Sequence, residues 1–191
     1  MESGKIPRFA RALRRAYDQK RGRTELEGAE AGFTLIELMV VLLIMAILLA
    51  IAIPTFLGVK NGAEDRAVQS NLTNALTSAK AGYANGGTYA TAASLEVSSL
   101  SSAEPNITFE TGSATTGSNN IAVDVATDGQ QLLLVAYSQS GTCWAVVDNE
   151  GTTGSLTGTP TSLGIKYASW AESTSACSTT LPASLSWTSQ Y

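Results

Sequence analysis

From Leu38 to Ile53 the chain carries sixteen consecutive apolar residues. A stretch of this kind has no place on the surface of a small domain in water. Counted from Phe33 to the residue before Pro54 there are 21 positions. As a helix these span roughly 32 Å at about 1.5 Å per residue, close to the roughly 30 Å of bilayer hydrocarbon. The 32 residues before Phe33 hold eight Lys or Arg against five acids, the flank expected on the cytoplasmic side of a membrane span. An ordinary secretory signal with Ala50-Ile51-Ala52 at its cleavage point is the other reading of this stretch. The length of the Arg-rich part, Pro54 and the apolar residues beyond Ala52 weigh against it.

After the leader the charge balance reverses, with four basic and eleven acidic residues in positions 33–191. An acidic body repels phosphate backbones, so direct nucleic-acid binding by the globular part is not expected. The 191 residues leave room for one modest domain beyond the apolar run. Histidine is absent, which removes the commonest general base and metal ligand. Gly-rich phosphate loops, a Gly-x-Ser-x-Gly elbow and paired-carboxylate constellations are not found either. Neither an enzyme, a cofactor nor a metal centre is expected.

Beyond Pro54 the pattern becomes amphipathic. Val59, Ala63, Ala67, Val68, Leu72, Ala75, Leu76, Ala79 and Tyr83 recur at steps of helical period. The spacing predicts one long helix, apolar and then amphipathic, stopped by Asn85-Gly86-Gly87. Pro54, Gly58 and Gly62 sit at the junction, where a kink or local melting is expected. Residues 86–106 read as a loop with a short helical turn. Four β-type runs follow at 107–110, 121–126, 132–137 and 143–147, with Asp128-Gly129 and Ser140-Gly141 as tight turns. They predict an antiparallel meander of about four strands under the helix. Trp170, Trp187 and Tyr191 are expected packing anchors in the Ser/Thr-rich C-terminal region.

Gly32-Phe33-Thr34-Leu35-Ile36-Glu37-Leu38 resembles the processing site of type IV prepilins and pseudopilins. The resemblance implies a membrane aspartic peptidase that cuts after Gly32 and methylates Phe33, a glutamate at mature position five (Glu37), and a proline at mature position 22 (Pro54). It also implies the α+β pilin fold and a filament assembled by a separate platform and its ATPases. Expected segments are a cleaved leader (1–32), a transmembrane and filament-core helix (33–57), its amphipathic second half (58–85) and an extracytoplasmic body (86–191). Many leaders of this family are short and basic up to the glycine, whereas Glu25, Glu27 and Glu30 crowd this one.

A carboxylate at the edge of such a run is costly, by as much as about 2.5 to 3.5 kcal/mol at the membrane centre, so Glu37 needs a partner. A cut at Gly32 creates an α-amino group of pKa about 7.7 to 8.0. In the family a neighbouring subunit supplies that cation, so self-association through the helix is the main partnership implied. The precursor would lie in the cytoplasmic membrane with its leader inside, and the polymer outside the cell would serve adhesion, motility or DNA uptake. A pseudopilin of a type II secretion system and a minor pilin acting as adhesin or receptor fit the same motif.

Cys143 and Cys177 match no zinc or redox spacing. Outside the cytoplasm a disulfide is the natural reading, worth about 4 kcal/mol in the chain-entropy model. The resemblance implies such a disulfide, which often staples the C-terminal region of the family; two buried thiols are the alternative. Asp148-Asn149-Glu150-Gly151 clusters oxygens without EF-hand spacing and reads as a turn. Asn71-Leu72-Thr73 and Asn106-Ile107-Thr108 match the glycosylation tripeptide, to which no function is attached.

Overall fold

The computed structural model describes residues 32–89, 93–112, 115–151 and 156–191. The leader expected over 1–32 lies outside them except for Gly32. The chain divides into two units, residues 1–51 and 52–191.

Helix α1 runs from Leu35 to Gly86 with Pro54 inside it, and the helix is continuous through Gly58 and Gly62. Proline donates no N–H, so the Ala50 carbonyl one turn back lacks its helical partner there. The glycine stop behaves as expected: Gly87 takes φ +72° and its N–H bonds the Tyr83 carbonyl at 2.7 Å. A left-handed residue just past the last turn satisfies an orphan carbonyl in this way. Within the first unit every described apolar side chain from Phe33 onward is exposed.

The second unit is α+β. Helix α2 (Ala93–Ala103) is followed by β1 (Thr108–Thr111), β2 (Asn120–Val125), β3 (Gln131–Ser138), β4 (Thr142–Asn149) and β5 (Gly164–Ala171). The sheet order is β1-β2-β3-β4-β5. All pairs are antiparallel except β1 with β2, which run parallel. The four expected strands are present, but the sheet has five strands and is mixed. β5 escaped notice because it is an edge strand with half-buried side chains and polar Lys166 and Ser169 in its middle, so no apolar run marks it. Between the two parallel strands, Thr115 forms an isolated bridge with Cys177 in the C-terminal region.

The core has two layers. Val68, Leu72, Ala75, Leu76 and Ala79 of α1 pack with Ile121, Val123, Leu132, Leu134 and Val146 on one face of the sheet. Leu133, Val135, Tyr137, Cys143, Ala145 and Val147 face the other way, against Leu156, Trp170, Cys177, Leu181 and Trp187. Alternation along β3 therefore feeds both cores, since successive strand residues point to opposite faces. This is why its run from Leu132 to Tyr137 is apolar without a polar face. The disulfide joins Cys143 to Cys177 across 5.9 Å between their Cα atoms and fastens the irregular C-terminal segment over the second face.

Polar contacts fix α1 against the sheet at two levels. Asp65 accepts from the Ser140 hydroxyl at 2.6 Å and the Trp144 indole N–H at 3.2 Å. Burial raises the Asp65 pKa, but hydrogen bonds from Ser138, Ser140 and Trp144 outweigh it, so the net direction is down. Further along, Lys80 Nζ lies 2.7 Å from both Asp148 and Glu150, and the Tyr89 hydroxyl donates to the same buried Asp148 oxygen. Gly129, at φ +68°, allows the β2–β3 turn to meet the Tyr89 backbone; a Cβ there would stand 2.8 Å from the Tyr89 carbonyl.

Burial and the Asp148 carboxylate push the Tyr89 pKa well above its ordinary value of 10.0. Burial lowers that of Lys80, but its bonds to Asp148 and Glu150 leave it above 10.5. Both folded-state values are raised, so this contribution is complete below about pH 10 and is lost as pH rises through them. Thermal unfolding in detergent should show a melting temperature that falls steeply above about pH 10. Tyr89→Phe should cost about 1.5–3 kcal/mol at neutral pH, the value of a hydrogen bond to a charged group, and flatten the alkaline fall. An unchanged alkaline profile in that variant contradicts this account.

Candidate functional site

Helix α1 begins at Leu35, so Leu35, Ile36, Glu37 and Leu38 of the motif form its opening turn and Gly32, Phe33 and Thr34 lead into it. Phe33 is 89 % exposed, and Gly32 is also exposed, with nothing within 4 Å of the place a Cβ would occupy. The Gly32–Phe33 bond thus precedes the first helical residue, in irregular backbone. A peptide bond inside a hydrogen-bonded helix could not extend into a peptidase cleft without unwinding; this one can.

Glu37 is three residues after Thr34, and the two side chains satisfy each other. The Thr34 N–H donates to Glu37 Oε2 at 2.8 Å, and the Thr34 hydroxyl donates to the same oxygen at 2.7 Å. In return the Glu37 N–H reaches Thr34 Oγ1 at 3.2 Å. This is a reciprocal capping box, which satisfies two of the orphan N–H groups of a helix start. The carboxylate is also placed where the positive end of the helix dipole favours an anion. Thr34 was missed as a functional residue, although the Thr-x-x-Glu spacing before an apolar run is the signal that marks such a cap. Both Thr34 donors use one carboxylate oxygen, and none of the described hydrogen bonds runs to Oε1.

Downstream of the cap the helix is long and apolar enough to cross a membrane, with mean hydropathy 3.1 over its most apolar window and none of that window buried. Exposure continues past Pro54 through Phe56, Leu57 and Val59, and core packing starts only at Val68.

Other candidates lie elsewhere. Cys143 and Cys177 are joined far along the chain from the helix start. Asp148 and Glu150 share the Lys80 ammonium, which takes the place a cation would need between them. Among the described residues no cluster of three or more His, Cys, Asp or Glu could hold a metal. Asn71 sits inside α1, donating to the Ser118 carbonyl at 2.8 Å and to Asn119 Oδ1 at 3.1 Å. Its neighbour Leu72 is fully buried, so this glycosylation tripeptide belongs to packed structure, whereas Asn106 is exposed.

Residues 28–53 match the family model of the prokaryotic N-terminal methylation motif, the signature of type IV prepilin leaders. The match begins ahead of the Gly32–Phe33 bond and ends at the residue before Pro54, covering the cap and the apolar run. No curated protein and no solved structure matches the chain. Residues 28–53 thus carry a prepilin-type methylation signature, and they lead into a helix long and apolar enough to cross a membrane and then an α+β body with a disulfide.

Replacing Thr34 by Val removes the hydroxyl while keeping the side-chain volume. Loss of such a cap costs about 1 kcal/mol, so amide exchange in micelles should accelerate at Ile36 and Glu37 by about fivefold, with residues beyond Val41 unaffected. Equal protection in wild type and variant would remove the capping role.

Proposed function

We propose that this chain is the structural subunit, most simply the major one, of a type IV pilus. The leader (1–32) is removed by prepilin peptidase, Phe33 is N-methylated, and the subunit waits in the cytoplasmic membrane with its body outside. The helix over 33–57 then leaves the lipid and enters the core of an extracellular filament, while the amphipathic part (58–85) carries the body, 86–191. Assembly is driven by a platform and ATPases outside this chain. The polymer serves adhesion, motility or DNA uptake, with no direct nucleic-acid binding by the acidic body.

The observation that carries this reading is the coincidence of the methylation motif over residues 28–53 with a helix that starts two residues after Phe33 and leaves its apolar side chains bare. A helix that only anchored a domain would need neither a cleavage motif nor a carboxylate in its first turn. Peptidase action converts the Phe33 nitrogen from an amide into a cation, and Glu37 is the acid nearest to it in the described chain. In an assembled bundle the amine of one subunit pairs with the Glu37 carboxylate of another. That pairing offsets the cost of keeping the charge in apolar surroundings. Pro54 marks the exit from this segment, where an unpaired carbonyl eases bending during extraction from the membrane.

Glu37→Ala keeps helix propensity and removes the charge. Cells carrying it should hold normal amounts of processed subunit in the membrane but show at least a tenfold loss of sheared surface filament. Normal filament yield would contradict the proposed pairing, and polymers confined beneath the outer envelope would point instead to a secretion pseudopilin.

A further inference from the structure

Among the described residues, nothing buries the large apolar side chains of α1 between the apolar run and the packed part. Phe56, Leu57 and Val59 are 69 %, 52 % and 68 % exposed, and the described core begins only at Val68. Lys60 and Arg66 lie on this same stretch and are both exposed. Neither takes part in an ion pair among the described residues, where both salt bridges belong to Lys80. Asp65, next to Arg66, is committed to Ser140 and Trp144. Glu64 stands one turn from Lys60 without reaching it.

These two cations are half of the four basic residues after Gly32; the others are Lys80, already paired, and Lys166 on β5. Against them the chain beyond Gly32 sets eleven acids, among them Glu110, Asp124, Asp128 and Glu172 on the body. Glu172 is held as an anion by its own loop, its pKa lowered by Thr174 and Ser173.

We propose that this uncovered stretch is a second subunit interface, in which Lys60 and Arg66 of one copy pair with the acidic body of another copy. The inference rests on the filament reading above. A second copy is the occupant because it brings the complementary charge and because the stretch is continuous with the bare helix that such a copy would cover. The apolar residues Phe56, Leu57 and Val59 give the contact its dry centre, and the two cations set its register, since charge complementarity governs orientation more than affinity. Anionic lipid headgroups at the outer membrane surface are the competing occupant.

The test uses the full chain in cells that assemble filaments. Lys60→Glu with Arg66→Glu should leave processed, membrane-inserted subunit at normal levels and reduce sheared filament at least tenfold. Charge reversal at one of Glu110, Asp124, Asp128 or Glu172 should restore assembly in that background. Wild-type filaments should also shorten in about 1 M salt, where screening falls to about 3 Å. Normal filament yield from the double variant overturns the proposal while leaving the polymer reading intact. Loss of yield accompanied by loss of subunit binding to phosphatidylglycerol vesicles, with no restoring reversal, assigns the cations to lipid and also overturns it. Absence of filaments in wild-type cells removes both readings together.

Discussion

The bare helix governs everything else about this chain. Between Leu35 and Leu57 seventeen of the 23 positions are large, exposed apolar side chains, and each contributes about 1.5–3 kcal/mol when taken from water into an apolar environment. Their sum is on the order of tens of kcal/mol, larger than the roughly 5–15 kcal/mol by which a folded domain is stable. No arrangement in which this segment meets water is competitive. Such a segment calls for an apolar cover, and lipid or packed copies of itself supply one on the proposed reading. Set beside that sum, the charge of Glu37 at about 2.5–3.5 kcal/mol cannot keep the segment out of the membrane.

The same small term becomes decisive once the choice is between lipid and helix bundle. Lipid tails and leucine side chains are about equally apolar, so exchanging one for the other is nearly neutral. A few kcal/mol at a single carboxylate then tips the balance. On the proposed reading Thr34 matters for this reason: by donating twice to Oε2 it lowers the cost of Glu37 before assembly and orients the side chain at the helix start. In the proposed filament the incoming amine would have to offer more than this cap does, and it carries a full positive charge where the hydroxyl carries none.

What could be read from residues alone follows from where the physical signal is concentrated. The apolar run, the glycine stop and the four inner strand runs each depend on local pattern, and each is found within a residue or two of its expected place. The α1 stripe was legible as a helix, but not in where its cover begins: Val59 and Ala63 share the period of Val68 and Leu72, and only tertiary packing distinguishes them. β5 and the second core layer were hidden for a related reason. The C-terminal segment covers the sheet with isolated anchors, Leu156, Leu181 and Trp187, held by a disulfide, and no periodicity announces such an arrangement. At the candidate site, Gly32, Phe33 and Glu37 were legible from type and spacing, whereas Thr34 was overlooked because its role is to hold another residue.

The claim on which the account rests is that the chain is cut between Gly32 and Phe33 so that a cation is made at the head of a bare apolar helix. Mass spectrometry of the mature protein from its native host tests this most directly. The account predicts an N-terminal peptide that begins at Phe33 and carries one methyl group on its nitrogen. A chain that keeps Met1, or one that begins at Ile53 after a signal-peptidase cut, would contradict it.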